Sequence, residues 1–481
     1  MKTGNQYNRI LMSAFVFSFF LPLAAQDGFG FDAETEAGTI ASSSVGGVSI
    51  GGEASASILQ FTDGVNDFDS FSNLKAGNFF SGRLDFTATG SNADAVIKLE
   101  IPAIAEGVSP VAIDEVYVRA YFGKADLEGG LRKLTWGKAD SQGPLDILNP
   151  RNLTDLTVTD SMRQKIARPM LHLTYALGSF TKLEGVLIPS FQGHNIAVEG
   201  RWAPAQIKEM TDGITAAANA TADFLVANTP MKPEEAAVKL ASLESLDYSS
   251  LYPDTSTLEY SQAGLRFTTT LGSSDVGFQY FYGNLPKPAI TIDAATLFTP
   301  TLDFNPDAVT ITYNRYHQIG VDWAAVLPLN FNTRAELAAN ITEDFTGDDG
   351  AVYNPALLWS LGFDRDLVAG INLNAQGTGS VRLMDGEVGD TVEDIESASD
   401  VTSTKITVQL SKKFLREEFE LKVAGIYGIE DEDFLFMPTF VWTKGDLVTE
   451  LTAGIFGGAK DGELGQYADN TYLKASLTYK F

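Results

Sequence analysis

The sequence predicts an all-β transmembrane fold: a closed antiparallel β-barrel of about eighteen strands, sixteen being the alternative count, with a helical insertion in one loop. Three observations carry this. Segments in which apolar and polar residues alternate recur along nearly the whole chain. The connections between them are alternately short and long. The alternation also runs to the last residue, in NTYLKASLTYKF (470–481). There Leu473, Ala475, Leu477, Tyr479 and Phe481 share one face, and Tyr472, Lys474, Ser476, Thr478 and Lys480 share the other. A barrel in lipid pairs its last strand with its first, so a terminal strand with one greasy face has a place to go.

Taken in order, the alternating segments lie near residues 46–58, 80–88, 93–101, 112–122, 126–136, 170–178, 180–188, 257–271 and 274–283. They continue near 313–327, 330–342, 352–363, 367–381, 401–413, 416–427, 433–443, 446–457 and 469–481. Faces are clean where Ala93, Ala95, Ile97, Leu99 and Ile101 oppose Asp94, Lys98 and Glu100, and where Phe419, Leu421 and Val423 oppose Glu418, Glu420 and Lys422. Residues 434–442 are apolar on both faces and do not fit the pattern. After even-numbered strands the links are short (TGSN, GKAD, GS, GSS, PLN, DRD); after odd-numbered strands they are mostly longer and more polar. Turns on one side of a membrane and loops on the other produce this parity, whereas a β-sandwich has no reason to show it. Residues 204–246 break the β pattern. They are Ala-rich, carry apolar residues at helical spacing, and restart at Pro233 with Glu234 and Glu235 in a first turn. Parity puts this hairpin in the fourth long loop, as a packed rim element or as a lid.

Lys2 and Arg9 precede the apolar run ILMSAFVFSFFLPLAA (10–25), which reads as an export leader over residues 1–25, with the barrel in 26–481. No later stretch offers the ~18 uninterrupted apolar residues of a transmembrane helix. The chain has no Cys, which excludes disulfides and thiol chemistry. Its 44% hydrophobic content, 44 Gly, 31 Phe, 16 Tyr and 5 Trp suit strands with aromatic girdles. A net charge of −28 argues against nucleic acid, which needs a basic footprint. The densest acidic runs, DGEVGDTVEDIESASD (385–400) and EDED (430–433), fall in loops and read as solvated surface.

The ending resembles the C-terminal assembly signal of bacterial outer-membrane proteins, with Lys474, Ser476, Tyr479 and Phe481 in the characteristic places; family members often have Gly where Ser476 stands. The resemblance implies insertion into the outer membrane by the barrel assembly machinery. The third long loop, GKADSQGPLDILNPRNLTDLTVTDSMRQKIARP (137–169), mixes Asp140, Asp146, Asp155 and Asp160 with Arg151, Arg163, Lys165 and Arg168. Here the chain is similar to general bacterial porins. In that family the third loop folds inward and narrows the barrel, and opposed charges set a transverse field. The resemblance implies that these eight residues are candidates for a pore constriction. The WGKxD…DxLNP…P string (136–169) also looks like a segment of porins whose substrates are unknown. The plainer alternative is a surface loop pinned by Pro144, Pro150 and Pro169. Many porins of this class are trimers, so a homotrimer is the assembly the resemblance implies.

Alternation places Arg83, Lys98, Glu115, Arg119, Arg266, Asp322, Lys405, Glu420, Lys422 and Lys474 on inner faces. A barrel of this size has a lumen too wide for side chains to fill, so these residues are expected to line water and tune selectivity, or to cross-link the wall. Enzyme motifs are poor. Gly47 to Gly51 matches G-x-S-x-G, but inside a strand and not at a strand-to-helix turn. His172, His194 and His317 are scattered. TDGVNDFDS (62–70) and EDFTGDDG (343–350) could offer oxygen ligands to Ca²⁺ but lack EF-hand spacing. No catalytic residue, metal or cofactor is expected. The sequence is therefore read as an outer-membrane porin-like channel for passive diffusion of small solutes. The alternatives are a selective channel for hydrophobic substrates and a surface adhesin or structural barrel.

Overall fold

The computed structural model describes residues 47–62, 80–101, 111–140, 143–243, 248–389, 394–397 and 399–481. Eighteen strands form one antiparallel sheet. In chain order they are β1 (Gly47–Phe61), β2 (Phe80–Thr89), β3 (Ala93–Ile101), β4 (Ala112–Phe122), β5 (Ala125–Arg132), β6 (Arg168–Ala176), β7 (Thr181–Ile188), β8 (Gln262–Leu271) and β9 (Ser274–Asn284). The second half comprises β10 (Arg315–Leu327), β11 (Phe331–Thr342), β12 (Ala356–Asp366), β13 (Ile371–Arg382), β14 (Thr402–Phe414), β15 (Phe419–Gly428), β16 (Asp433–Lys444), β17 (Leu447–Gly458) and β18 (Tyr472–Lys480). Each strand pairs with its sequence neighbours, and β18 returns to β1 with Glu53 opposite Lys480 and Phe61 opposite Tyr472. The sheet is closed and has no free edge. The expected strand count is met, with boundaries a few residues off.

Connection parity is also met. Links after even-numbered strands (90–92, 123–124, 177–180, 272–273, 328–330, 367–370, 415–418, 445–446) are tight turns. Gly123 takes the left-handed φ of 71° that a two-residue hairpin turn requires. The odd links are longer, except 429–432. The outer wall exposes Ile97, Val118, Leu171, Leu265, Ile319, Leu361, Ile406, Leu421 and Leu451 to whatever surrounds the barrel. So continuous an apolar belt requires lipid. At the short-turn end the belt is bounded by aromatics: Phe414 stacks on Phe419 at 5.7 Å, Phe419 on Trp442 at 6.1 Å, and Phe331 meets Phe363 edge-on at 5.4 Å.

The core lies inside the barrel, where long links fold inward. One apolar cluster joins Leu156 and Trp202 from loops to Leu435, Met437, Phe456 and Tyr472 on β16–β18. This accounts for the two-faced apolar strand β16, since its inner face is covered by protein instead of water. A second cluster joins Trp136 and Leu148 to Val186, Ile188, Phe281 and Tyr316 on the wall and to Tyr353 and Ile395 from other loops. The fourth long link contains the expected helices. Counting the single turn α1 (Ser161–Gln164), they are α2 (Ala205–Asn228) and α3 (Pro233–Leu243). They pack through Ala222, Leu225 and Ala236 on Leu302 of the β9–β10 loop. The expected leader and most of the 62–70 string lie outside the described residues.

Candidate functional site

The third long link, 133–167, is folded into the lumen and crosses it. At its neck Asn149 holds both arms: its Oδ1 accepts from Leu134 N–H at 2.8 Å, and its Nδ2 donates to Arg132 O at 2.9 Å and Ile166 O at 3.0 Å. Past the neck, Trp136 donates its indole N–H to Glu184 on β7 at 3.1 Å. Its ring fits only because residue 264 is Gly; a Cβ there would lie 2.8 Å from the ring. The tip then reaches the far wall, where Glu336 on β11 accepts the backbone N–H groups of Lys138, Ala139 (2.7 Å) and Leu145 (3.3 Å). Gln279 and Gln318 donate to the carbonyls of Leu145 and Pro144 at 3.2 and 3.0 Å. Leu145 itself is fully buried. The returning arm carries α1, capped by Asp160, whose Oδ1 accepts from Met162 and Arg163 N–H. This arm faces β18 and β1: Lys474 donates to Thr157 O at 3.4 Å, and Arg163 is ion-paired to Glu53.

The loop fills the lumen unequally. Against β7–β11, β13 and β15–β18 it is packed by the two apolar clusters, by the Glu336 anchor and by the contacts of Asp140. Against β1–β4 it leaves a cavity of about 60 Å³ lined by Glu53, Arg83, Lys98, Glu100, Lys133 and Arg163, among others. Charges here are mutually paired: Lys98 with Glu115 at 2.7 Å, Arg83 with Asp85 at 3.1 Å and with Asp114 at 3.9 Å, and Lys133 with Asp114. A β-bulge at Lys98/Leu99 turns both Asp114 and Glu115 inward.

The eight constriction candidates do not form one ring. Only Arg163 borders the cavity; Asp155 and Asp160 stay with its arm, capping local turns. Asp146, Arg151 and Lys165 form an ion triad buried within the loop, at 3.2 and 2.7 Å. Removing Asp146 would take this carboxylate from two buried cations, a cost of about 3–5 kcal/mol; these residues hold the loop's shape and do not face solute. Burial pushes Lys165 down from the ordinary lysine value, against the pull of Asp146. Asp140 sits across the barrel with Arg334 and Asn374, and burial raises its carboxyl. Arg168 stays at the rim, donating to Gln192 and Ser190 at 2.7 Å each.

All ten lumen candidates are on inner faces, and they divide between the two expected roles, lining the cavity and cross-linking the interior. Arg83 and Lys98 border the cavity, and Arg119 is partly open beside Glu128 at 2.5 Å. Glu420 and Lys422 lie near each other on β15. Glu115, Arg266, Asp322 and Lys405 are almost fully buried in ion pairs: Arg266 with Asp322 at 2.5 Å, Asp322 with Lys138 at 3.2 Å, Lys405 with Glu463 at 2.9 Å. Lys474 is covered by the third loop. The sequence reading overlooked Glu53, Asp114 and Lys133, and it placed Glu336 among the inward charges without making it an anchor. Alternation alone puts Glu336 inward; nothing in its neighbourhood says that a loop 190 residues earlier will use it.

His194, from the fourth link, accepts the Arg151 backbone N–H on Nδ1 at 2.8 Å. Burial, helped by Arg151, depresses it to about 3. His172 sits between Glu128 and Glu184 on the inner wall, and His317 is on the outer wall. Gly47 to Gly51 lies within β1, with no helix after it. In EDFTGDDG, Asp344 spends its carboxylate on the N–H groups of Thr346, Gly347, Asp348 and Asp349, which lowers its pKa and leaves the loop a closed turn. Among the described residues no group of three or more His, Asp or Glu is arranged to hold a metal.

No family model and no curated protein matches the chain. Among solved structures it is similar to the outer membrane channel DcaP of Acinetobacter baumannii, at 10% identity over 92% of this chain and 99% of that one, with a TM-score of 0.40. It is similar to OccK3 (OpdO) of Pseudomonas aeruginosa at 8% identity, 90% and 95% coverage and a TM-score of 0.49. It is similar to OccAB4 of Acinetobacter baumannii at 10% identity, 90% and 98% coverage and a TM-score of 0.47.

Proposed function

We propose that the chain is an outer-membrane channel through which small polar solutes diffuse passively, by way of the opening between α1 and the β1–β4 wall. The observation that carries this is the inward third loop, which packs away one side of the lumen with apolar clusters and leaves a charged cavity on the other, where the passage would run. Both signs line that passage, so a solute crosses a transverse field at short range. The work of the protein is selection by width and field, with no bond made or broken. A hydrophobic-substrate channel fits less well, because the two apolar clusters inside the barrel are buried against each other and Met162 is the one large apolar side chain among the residues that line the cavity.

The test is conductance in a planar bilayer. Glu336→Ala frees three backbone donors at the loop tip, each worth ~1–3 kcal/mol when left unpaired, and should raise single-channel conductance by loosening the loop. Arg163→Ala should shift the reversal potential in a salt gradient, whereas Glu387→Ala, on an exposed outer loop, should shift it much less, since salt screens over ~8–10 Å. A parent protein with no channel activity would overturn the reading and put the surface or structural barrel ahead of it.

A further inference from the structure

We propose that the outer wall over β5–β9 holds one acyl chain of a membrane lipid whose anionic headgroup rests against Arg315 and His317. A groove of about 370 Å³ runs there along the lipid side. Strand register builds it. One rung sets Leu173, Gly185, Leu265 and Tyr280 side by side; the next sets Leu171, Leu187, Ala263 and Tyr282. Gly185 and Ala263 are the floor, and the leucines and tyrosines are the banks. Two small side chains in adjacent rungs of an otherwise bulky wall make a recess roughly as wide as a hydrocarbon chain. Lipid is what meets this face, and nothing polar lines the groove between its banks.

The far end of the groove is different. Tyr280 and Tyr282 carry it to His317, which alternation places on the lipid side of β10. His317 Nδ1 lies 2.7 Å from the Tyr280 hydroxyl, and its ring is 4.8 Å from that of Tyr282. Nε2 has no hydrogen-bond partner among the described residues. The Arg315 guanidinium lies over the Tyr282 ring at 5.1 Å and donates to the carbonyls of Ser261 (2.9 Å) and Glu259. Those carbonyls orient the guanidinium without cancelling its charge, and among the described residues no carboxylate is within ion-pairing distance of it. An uncompensated cation and an imidazole at the end of a chain-wide apolar groove match a phosphate joined to an acyl chain. This end lies at the long-loop side of the barrel, where β10 begins. A second copy of the chain would have to supply both a narrow ridge for the recess and an anion for Arg315.

The proposal rests on the barrel lying in lipid, not on conduction, so a silent channel that still retains lipid would separate the two. The full-length protein is reconstituted in nanodiscs of mixed phosphatidylglycerol and phosphatidylcholine, extracted gently, and its bound lipids are counted by native mass spectrometry. The wild type should keep one phosphatidylglycerol, with roughly tenfold preference over phosphatidylcholine. Gly185→Leu should abolish retention of either lipid; a Cβ at 185 makes only ordinary 3.5 Å contact with Leu265, so the barrel tolerates it. The Arg315→Ala, His317→Ala pair, which changes no inner-wall residue, should keep the chain but lose the preference. Equal retention of both lipids by wild type and variants would overturn the proposal. So would light scattering showing that Gly185→Leu turns an oligomer into a monomer, which would make the groove an interface between copies.

Discussion

At the scale of single residues, the charges that matter most are not the ones that face water. Asp146, Arg151 and Lys165 looked like selectivity residues because they are mixed in sign and close in sequence; folded, the one carboxylate holds both cations inside the loop, away from solute. His194 makes this region sensitive to pH. Its depressed pKa means that the native loop refuses a proton which the opened chain accepts below about 6.5. Its contribution is therefore present at neutral pH and is lost as pH falls from about 6.5 towards 3, by up to ~1.4 kcal/mol per pH unit. Limited proteolysis between pH 7 and 4 should show the third loop losing protection on acidification. In His194→Asn, whose Oδ1 can accept the same Arg151 N–H, that loss should be much smaller. An identical acid response in both proteins would remove His194 as its cause.

Among the elements, parity of connection length assigns sides and packing assigns roles. An epitope tag at Gly386 in the β13–β14 loop should be labelled on intact cells, and one at Val368 in the β12–β13 turn should not; reversed labelling would invert the topology. The α2–α3 hairpin rests on Leu302 and is tied by Lys239 to Asp303, both on a neighbouring loop. None of its residues borders the charged cavity. Deleting 206–242 should leave single-channel conductance within about a factor of two, since the two anchoring contacts are not part of the passage. A large rise would show that the hairpin is a lid. The third loop could be marked in the sequence as special, by length and composition, but its resting place could not. That depends on Glu336, Gln279, Gln318 and Gly264, each unremarkable in its own strand.

For the whole molecule, closure dominates. Every strand has two neighbours, so the barrel should unfold as a unit and migrate differently in cold and boiled detergent. The seam is completed by Phe481, which exchanges backbone hydrogen bonds with Gly52 at 2.9 and 3.0 Å and stacks on Tyr479 at 6.1 Å. Phe481→Asp exchanges an apolar, half-exposed residue at the seam for a charge at the lipid boundary. It should reduce the heat-modifiable, membrane-inserted fraction severalfold; an unchanged fraction would show that the aromatic end is dispensable for assembly.

The strands, their number, their facing and the side on which each link emerges were legible in the sequence, because alternation with period two is a local property and a barrel repeats it around the ring. The helical insertion was legible because its helical spacing and alanine content are equally local. What only the tertiary structure decided is which inward charges meet water. The lumen of an empty eighteen-strand barrel would wet all of them, yet the third link and the last long link fold into it and bury Glu115, Arg266, Asp322 and Lys405 while leaving Arg83 and Lys98 beside the cavity. That choice is made by contacts between residues far apart in the chain, Trp136 with Glu184, Leu145 with β10, Arg163 with Glu53, and no local pattern encodes the sum of such contacts.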